Sequence, residues 1–291
     1  MSAKLSDRCI LTSLRIGIWS GRTTDSEVTE EARAKHNAEA GAGTYSKQLI
    51  GRKFLSDINK HASAARRSHE LLSNPWDDGG TRILTNRMHA KYSEEMRLKK
   101  AAFNAAVKAL ITLYGNGEHL AEAKQRLGSM FNADDYPSTE DLGAKFSFDI
   151  EFKPVPDNSQ LPKWVGLSET AVKAITKDVE RRFDERTQAA MRNVYGRIAD
   201  VLNTMVDKLR NYEPDTTGKG FRDSLVWNIE QVADVVPYLN ITDDQGLAQL
   251  AERMKTELTA NDPYLLRTNA NVRKQTQDKA EQLLNKIKRY L

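Results

Sequence analysis

The sequence predicts a mainly α-helical protein, with long antiparallel helices that pair as a coiled-coil-like hairpin and with one small β element. Apolar residues recur every three or four positions from Ser168 to about Arg210, which is the period of a long helix. Only two short segments, near residues 10–18 and 146–152, alternate apolar and polar residues as a half-buried strand does. The 291 residues are 39% hydrophobic, 29% charged and only 7% aromatic, which favours thin, solvated helices over a thick sandwich core.

The small β element is predicted from these two alternating segments, which lie far apart in the chain. An isolated strand would leave its backbone N–H and C=O groups without partners, so we expect both strands to join one sheet. Pro154 and Pro156 end the second strand because proline cannot donate to a sheet ladder. The apolar positions are Ile10, Leu14, Ile16 and Ile18 in the first strand and Phe146, Phe148, Ile150 and Phe152 in the second.

The chain is expected to divide into three parts. These are an amino-terminal α+β part with the small sheet and a helical arm (1–160), a long central helix (161–212) and a carboxyl-terminal helical part (213–291). Asn74-Pro75 and Gly115-Asn116-Gly117 end helices, because proline restricts the residue before it and glycine interrupts regular structure. The shorter helices are predicted near residues 26–40, 53–72, 86–114, 118–130, 222–236, 243–259 and 271–290.

The long central helix carries the clearest candidate interaction surface. At 1.5 Å per residue it would extend about 60 Å, more than the width of a compact domain. Its apolar stripe is narrow and flanked by Arg and Glu, as in coiled-coil helices. The stripe is either a packing seam inside one chain or an assembly seam with a second chain, and its length makes full burial in one chain difficult. It consists of Val172, Ile175, Val179, Phe183, Val194, Ile198, Val201, Met205 and Leu209.

Composition and spacing argue against several classes of function. The one cysteine, Cys9, allows neither an intramolecular disulfide nor a cysteine zinc site, which is typical of a reducing cytoplasm. No segment is long and apolar enough to span a membrane or to act as a signal peptide. The five histidines show no HExxH spacing, and no Gly-x-Ser-x-Gly elbow occurs. We therefore expect a protein that is not an enzyme, with no catalytic residues, no metal and no cofactor.

The segment "SNPWDDGGTRIL", residues 73–84, combines features of a ligand loop and of a sharp turn. Two adjacent acids can supply oxygen ligands to a divalent ion, but the alternating acids and distal Glu of an EF-hand are absent. A phosphate loop would need Gly-Lys-Ser/Thr, which Thr81-Arg82 does not provide. We therefore favour a structural turn anchored by a buried tryptophan. Its marker residues are Pro75, Trp76, Asp77, Asp78 and Gly79.

Charge is distributed unevenly, which raises nucleic-acid binding as an alternative. Residues 47–108 contain 13 Lys or Arg and 6 Asp or Glu, whereas 213–262 contain 4 and 10, and 267–289 contain 7 and 2. Cations in the first segment could neutralise phosphates, but no helix-turn-helix, zinc-finger or RNP pattern accompanies them. The basic and acidic segments could equally bind one another. The candidate nucleic-acid contacts are Arg52, Lys53, Arg66, Arg67, Arg97, Lys99 and Lys100.

Three segments resemble a family of uncharacterised proteins from tailed bacteriophages and related mobile elements. They are Asn74–Arg82, Phe146–Asp157, and Phe221–Asn228 followed by Leu239–Asp244. The resemblance extends from about Leu5 to Asp244, and the chain departs from the family at Asn74, where Leu is more usual, and at Gly80. Genes of the family often lie near a MoxR-type AAA+ ATPase and a von Willebrand A-domain protein, which implies an ATPase partner. The resemblance carries over no catalytic residues.

Together these observations predict a non-enzymatic, phage-encoded protein of the host-cell cytoplasm. We expect it to self-assemble or to bind a phage or host protein, an AAA+ ATPase among the candidates. The alternative is a DNA- or RNA-binding accessory protein that uses residues 47–108.

Overall fold

The computed structural model describes residues 4–156, 168–213 and 220–291. These residues form a mainly helical fold with a small β element, as the sequence predicts. The helices are α1 (Leu5–Arg8), α2 (Ser26–His36), α3 (Arg52–Leu71), α4 (Asn86–Gly115), α5 (Glu118–Leu127), α6 (Thr139–Ala144), α7 (Glu169–Arg210), α8 (Ser224–Leu239), α9 (Gln245–Leu258), α10 (Pro263–Thr268) and α11 (Ala270–Ile287). The strands are β1 (Cys9–Gly17), β2 (Arg22–Asp25), β3 (Tyr45–Gln48), β4 (Asn74–Pro75), β5 (Arg82–Thr85) and β6 (Ser147–Pro154).

The larger sheet joins the two strands that the sequence predicts. Its order is β4-β5-β1-β6, so β1 and β6 are neighbours despite their separation in the chain. Strand β5 pairs antiparallel with β1, with Cys9 opposite Thr85, and antiparallel with β4, with Asn74 opposite Ile83. Strands β2 and β3 form a separate antiparallel pair.

The chain forms two compact units, each assembled from separated segments. The first unit comprises Met1–Ser13, His69–Tyr92 and Glu151–Leu291, and the second comprises Leu14–Ser68 and Ser93–Ile150. The core of the first unit lies where the carboxyl-terminal half of α7 packs against α8 and α11, and α9 packs against α8. In the second unit Leu49, Ile50 and Ile58 are almost fully buried, and the rings of Phe103 and Phe148 lie 5.6 Å apart.

Several features of the fold differ from the expected elements, and β2, α6 and α10 were not predicted. Residues 73–84, predicted as a turn, also contain β4 and most of β5, strands too short to show a period in the sequence. Helix α8 continues past the expected end and includes Pro237 near its carboxyl end. The predicted central helix, 161–212, is observed as α7 over Glu169–Arg210, and residues 161–167 lie outside the described part of the chain. Among the described residues, no helix has the length and apolar character needed to cross a membrane.

Candidate interaction site on the long helix

The amino-terminal half of α7 is a helix whose side chains remain at least partly accessible. The helix begins after Ser168, whose hydroxyl oxygen accepts a hydrogen bond from the backbone N–H of Ala171 at 3.2 Å and so caps it. From Glu169 to Ala189 no side chain is buried, and the first buried one is that of Ala190. Burial of α7 is therefore confined to its second half.

The predicted apolar stripe continues through this accessible half. Val172, Ile175 and Val179 are half-buried and share one face of the helix, because they are separated by three and four residues. Phe183 lies on the same face and packs edge-to-face against Trp76, with 5.2 Å between ring centroids. Most of the stripe in this half thus retains accessible apolar surface.

The stripe keeps nearly one face along the helix because most of its positions, Ile175 excepted, repeat every 11 residues. Such a repeat gives about 3.67 residues per turn, close to the 3.6 of an undistorted helix, so the stripe drifts little around it. The same face is therefore accessible in the first half and buried in the second. The three repeating sets are Val179, Ala190 and Val201; Phe183, Val194 and Met205; and Thr187, Ile198 and Leu209.

The second half of the stripe is a packing seam within the first unit. Val194, Ile198, Met205 and Leu209 are all buried, while Val201 is half-buried. Helix α11 makes the most extensive contact with α7, and α8 the next. For these five residues the structure shows an intramolecular seam.

Ion pairs along α7 stiffen the accessible half. Arg181 contacts Asp178 and Glu185, each at 2.6 Å, and Arg182 contacts Asp178 at 2.8 Å. The hydrogen bond from Arg181 holds the pKa of Asp178 below its ordinary value and raises the pKa of Arg181 itself. These groups are exposed, so each pair adds little to stability, but pairs three and four residues apart favour the helical conformation.

The turn that contains Trp76 lies beside this half of α7. Trp76 is buried, and its backbone N–H donates to the carbonyl oxygen of Thr81 at 3.0 Å. Oδ1 of Asp77 accepts from the backbone N–H of Thr81 at 3.0 Å. Gly80 has φ = +84°, a conformation that favours glycine. Asp78 and Gly79 are exposed and Pro75 is half-buried. Asp77 therefore serves the turn itself, and among the described residues no cluster of three metal-ligating side chains occurs.

The turn and α7 together line a cleft of about 390 Å³. Trp76, Asp77 and Asp78 line one side, and the charged residues on the other side are Arg182, Glu185, Arg186 and Arg192. The arginines are exposed. The sequence interpretation missed this arginine face, although the spacing of Arg182 and Arg186, four residues apart, places both on one side of a helix.

Comparison of the chain with protein-family models, with curated proteins and with solved structures finds no match. The resemblance to phage proteins stays a prediction, and the interpretation of the site rests on its geometry.

The predicted nucleic-acid contacts lie on two helices, α3 and α4. Arg52 and Lys53 begin α3, about 21 Å along the helix from Arg66 and Arg67. The guanidinium of Arg66 donates to the carbonyl oxygen of Ile16 at 3.3 Å. On α4, Arg97 pairs with Glu94 at 2.7 Å and Lys99 with Glu95 at 2.9 Å, whereas Lys100 is exposed.

Another cation of the basic segment is neutralised inside the second unit. The side chain of Lys47 is only 6% exposed and contacts carboxylate oxygens of Asp25 and Asp135, each at 2.8 Å. Burial alone would lower the pKa of Lys47, but the hydrogen bonds to Asp135 and Asp25 outweigh it and raise that pKa. The positive charge available to a polyanion is therefore smaller than the count of 13 basic residues indicates.

Proposed function

We propose that this chain is a phage-encoded, cytoplasmic, non-enzymatic interaction protein that self-associates through the amino-terminal half of α7. In this proposal, residues 169–189 of two copies pair antiparallel in a coiled-coil-like arrangement. The observation that carries the proposal is the apolar stripe of Val172, Ile175 and Val179, which continues the buried seam of the same helix but is only half-buried.

A second copy fits this surface because its charges are balanced. Residues 169–188 contain five basic and five acidic side chains. In a two-fold interface the same patch meets itself, so a patch of one sign would repel its copy, whereas a mixed patch can be self-complementary. The cleft beside the stripe also carries both signs, with Asp77 and Asp78 facing the arginines of α7.

The order of the charges favours antiparallel pairing. Residues 169–177 contain two basic side chains and one acidic, and residues 178–188 contain three basic and four acidic. An antiparallel pair places the positive segment of one copy against the negative segment of the other. The two-fold axis then passes near Val179, so the apolar positions on either side of it face each other.

Light scattering coupled to size-exclusion chromatography tests the proposal on the full chain over a range of concentrations. We expect the wild type to show a mass that rises towards that of a dimer. Val172→Asp combined with Val179→Asp should remain monomeric, because a desolvated carboxylate on the stripe opposes association. The matched control, Ala174→Asp with Gln188→Asp, adds the same charge to exposed positions on the opposite face and should behave as the wild type.

Two results would overturn the proposal. One is a wild-type chain that stays monomeric at about 100 µM, since an association weaker than that is outside the range of typical specific assemblies. The other is a control variant that loses self-association together with the stripe variant, which would show that added charge, and not the stripe, decides the result.

A further inference from the structure

A second cleft, of about 510 Å³, lies in the first unit and shares no residue with the proposed pairing surface. It is lined by the carboxyl-terminal half of α7, by α9 and by the end of α11 with the residues that follow it. This volume is within the range of small-molecule sites, which are commonly about 300–1,000 Å³. The cleft is therefore large enough for a ligand of nucleotide size.

An aromatic pair is built into one wall of this cleft. The rings of Tyr195 and Tyr290 are parallel within 5° and their centroids lie 4.4 Å apart. The hydroxyl of Tyr195 donates to Oδ2 of Asp244 at 2.6 Å, which fixes the orientation of the buried ring. Tyr290 remains 36% exposed and so presents aromatic surface to the cleft. Leu250 and Ile287 extend the apolar wall.

The same lining is positively charged. It includes Arg253, Lys286 and Arg289, and it includes no acidic residue. Arg253 is neutralised by a two-pronged contact with Glu257, at 2.6 and 3.1 Å. Lys286 and Arg289 are exposed and make no ion pair with a carboxylate of the described residues. Two cations without a close carboxylate therefore remain for an anionic ligand, although the charge of Lys286, after the hydrogen bond and charge of Arg253, helps to lower the pKa of Glu257.

Polar donors and acceptors complete the cleft. Arg289 donates to the hydroxyl of Tyr290 at 2.8 Å, and its planar guanidinium lies 4.8 Å from the centre of that ring. Guanidinium groups and tyrosine rings both stack on flat aromatic molecules, and guanidinium also binds phosphate. The amides of Gln249 and Asn285 can each donate and accept hydrogen bonds, as the edge of a nucleobase requires.

We infer that this cleft binds a mononucleotide, a molecule that combines a planar aromatic base with a phosphate group. The base packs against the accessible part of Tyr290 and the apolar wall, and the phosphate contacts Lys286 and Arg289. Both parts of the lining are used only by a ligand that has both groups. A simple anion would leave the aromatic wall without a partner, and an uncharged nucleoside would leave the two cations without one.

Titration calorimetry of the full chain with AMP tests the inference, with adenosine and inorganic phosphate as separate ligands. We expect AMP to bind with a dissociation constant of about 1 mM or tighter, and each fragment to bind at least about tenfold more weakly. Lys286→Glu should weaken AMP binding by at least about tenfold, because it replaces an attractive charge with a repulsive one. Lys288→Glu is the matched control, since Lys288 is exposed nearby but does not line the cleft.

Each part of the inference is overturned by a different result. No heat with AMP, or equal loss of binding in the two lysine variants, overturns the inference. Inorganic phosphate that binds as tightly as AMP overturns the aromatic part, and adenosine that binds as tightly overturns the anionic part. The variant Val172→Asp with Val179→Asp should bind AMP normally, so failure of the self-association proposal and failure of this inference are separately visible.

Discussion

Arg82 and Arg197 donate hydrogen bonds to the same carbonyl oxygen, that of Ser73, at 2.7 and 2.8 Å. Arg82 also reaches the carbonyl oxygen of Glu70 at 3.1 Å, and Arg197 reaches that of Leu71 at 3.0 Å. These carbonyls lie at the carboxyl end of α3, the negative end of its dipole, where cations are stabilising. Two guanidinium groups thus satisfy backbone oxygens that the helix itself leaves without partners.

Burial disfavours the charged forms of Arg82 and Arg197. Burial, followed by the nearby charge of Arg82, lowers the pKa of Arg197 to about 10, and the charge of Glu70 opposes that shift. Burial also lowers the pKa of Arg82. Both arginines are nevertheless held in place because their hydrogen bonds satisfy buried carbonyl groups.

Arg197→Met should lower the free energy of unfolding by about 2 kcal/mol. The change removes two charge-assisted hydrogen bonds to backbone oxygens, while the relief of repulsion with Arg82 offsets part of the loss. Chemical denaturation monitored by circular dichroism measures the effect. Arg192→Met, at an exposed position of the same helix, should change stability by less than about 0.5 kcal/mol. Equal effects in the two variants would contradict the proposed role of Arg197.

Elements with a long or regular period were predictable from the sequence. The strands near residues 10–18 and 146–152 are observed as β1 and β6 in one sheet, and the stripe from Val172 to Leu209 lies on one helix. A period can be recognised only when an element repeats it, so β4 with two residues and β5 with four were missed. Strand β5 forms by pairing with β1, which is a contact between distant segments, and β4 forms by pairing with β5.

The candidate site was predictable only in part, for a related reason. The sequence identifies the apolar stripe but does not say which half is buried, because that depends on where α8 and α11 pack. The turn around Trp76 was recognised from its residue types, but the arginines that face it come from a segment about a hundred residues later. Tyr195 and Tyr290 likewise meet only because α7 packs against α11 and the residues that follow it.

The turn offers an internally controlled test of its two acidic residues. Asp77→Ala removes the acceptor for the N–H of Thr81 and should lower the free energy of unfolding by about 1 kcal/mol. Asp78→Ala, at the adjacent exposed position, should change it by less than about 0.5 kcal/mol. Denaturant titration of both variants measures the difference. If the two variants were equally stable but lost a metal-dependent activity, the turn would be a ligand site and our interpretation would be wrong.

A buried histidine gives the first unit a defined sensitivity to acid. Nδ1 of His69 lies 2.7 Å from the hydroxyl oxygen of Tyr92, which lies 3.4 Å from the hydroxyl of Thr12. Burial, followed by the charge of Arg82, lowers the pKa of His69 to about 4 from 6.5. The folded chain therefore binds this proton less readily than the unfolded chain does.

The sign of the pH dependence follows from that difference. Above pH 6.5 His69 is neutral in both the folded and the unfolded chain, so it does not change the free energy of unfolding. Below pH 6.5 the unfolded chain binds the proton more readily, which stabilises the unfolded state and lowers the free energy of unfolding. Between about pH 7 and pH 5 this contribution should remove about 2 kcal/mol from the free energy of unfolding. His69→Gln should lose that part of the dependence, whereas His36→Gln, at an exposed position, should keep it. Parallel profiles for wild type and His69→Gln would contradict the assignment.

An engineered cysteine can show directly how two copies pair. The native Cys9 is buried, and burial raises its pKa to about 11, so it competes poorly in thiol oxidation. In the proposed antiparallel pair the two copies of Val179 face each other near the two-fold axis, and a disulfide requires Cβ atoms about 4 Å apart. Val179→Cys should therefore form a covalent dimer under mild oxidation, measured by non-reducing electrophoresis, while Ala174→Cys on the opposite face should not.

The same experiment at Val172 distinguishes the two orientations of the pair. Val172 lies seven residues from Val179, so antiparallel pairing separates the two copies of Val172 by about 21 Å along the helices, too far for a disulfide. Parallel pairing would instead place them side by side. Efficient cross-linking of both Val172→Cys and Val179→Cys would reject the antiparallel arrangement, and its absence at both positions in a concentrated sample would reject pairing through this stripe. Cross-linking at Val179 alone is the result that the charge order along α7 predicts, because only the antiparallel pair sets residues 169–177 of one copy against 178–188 of the other.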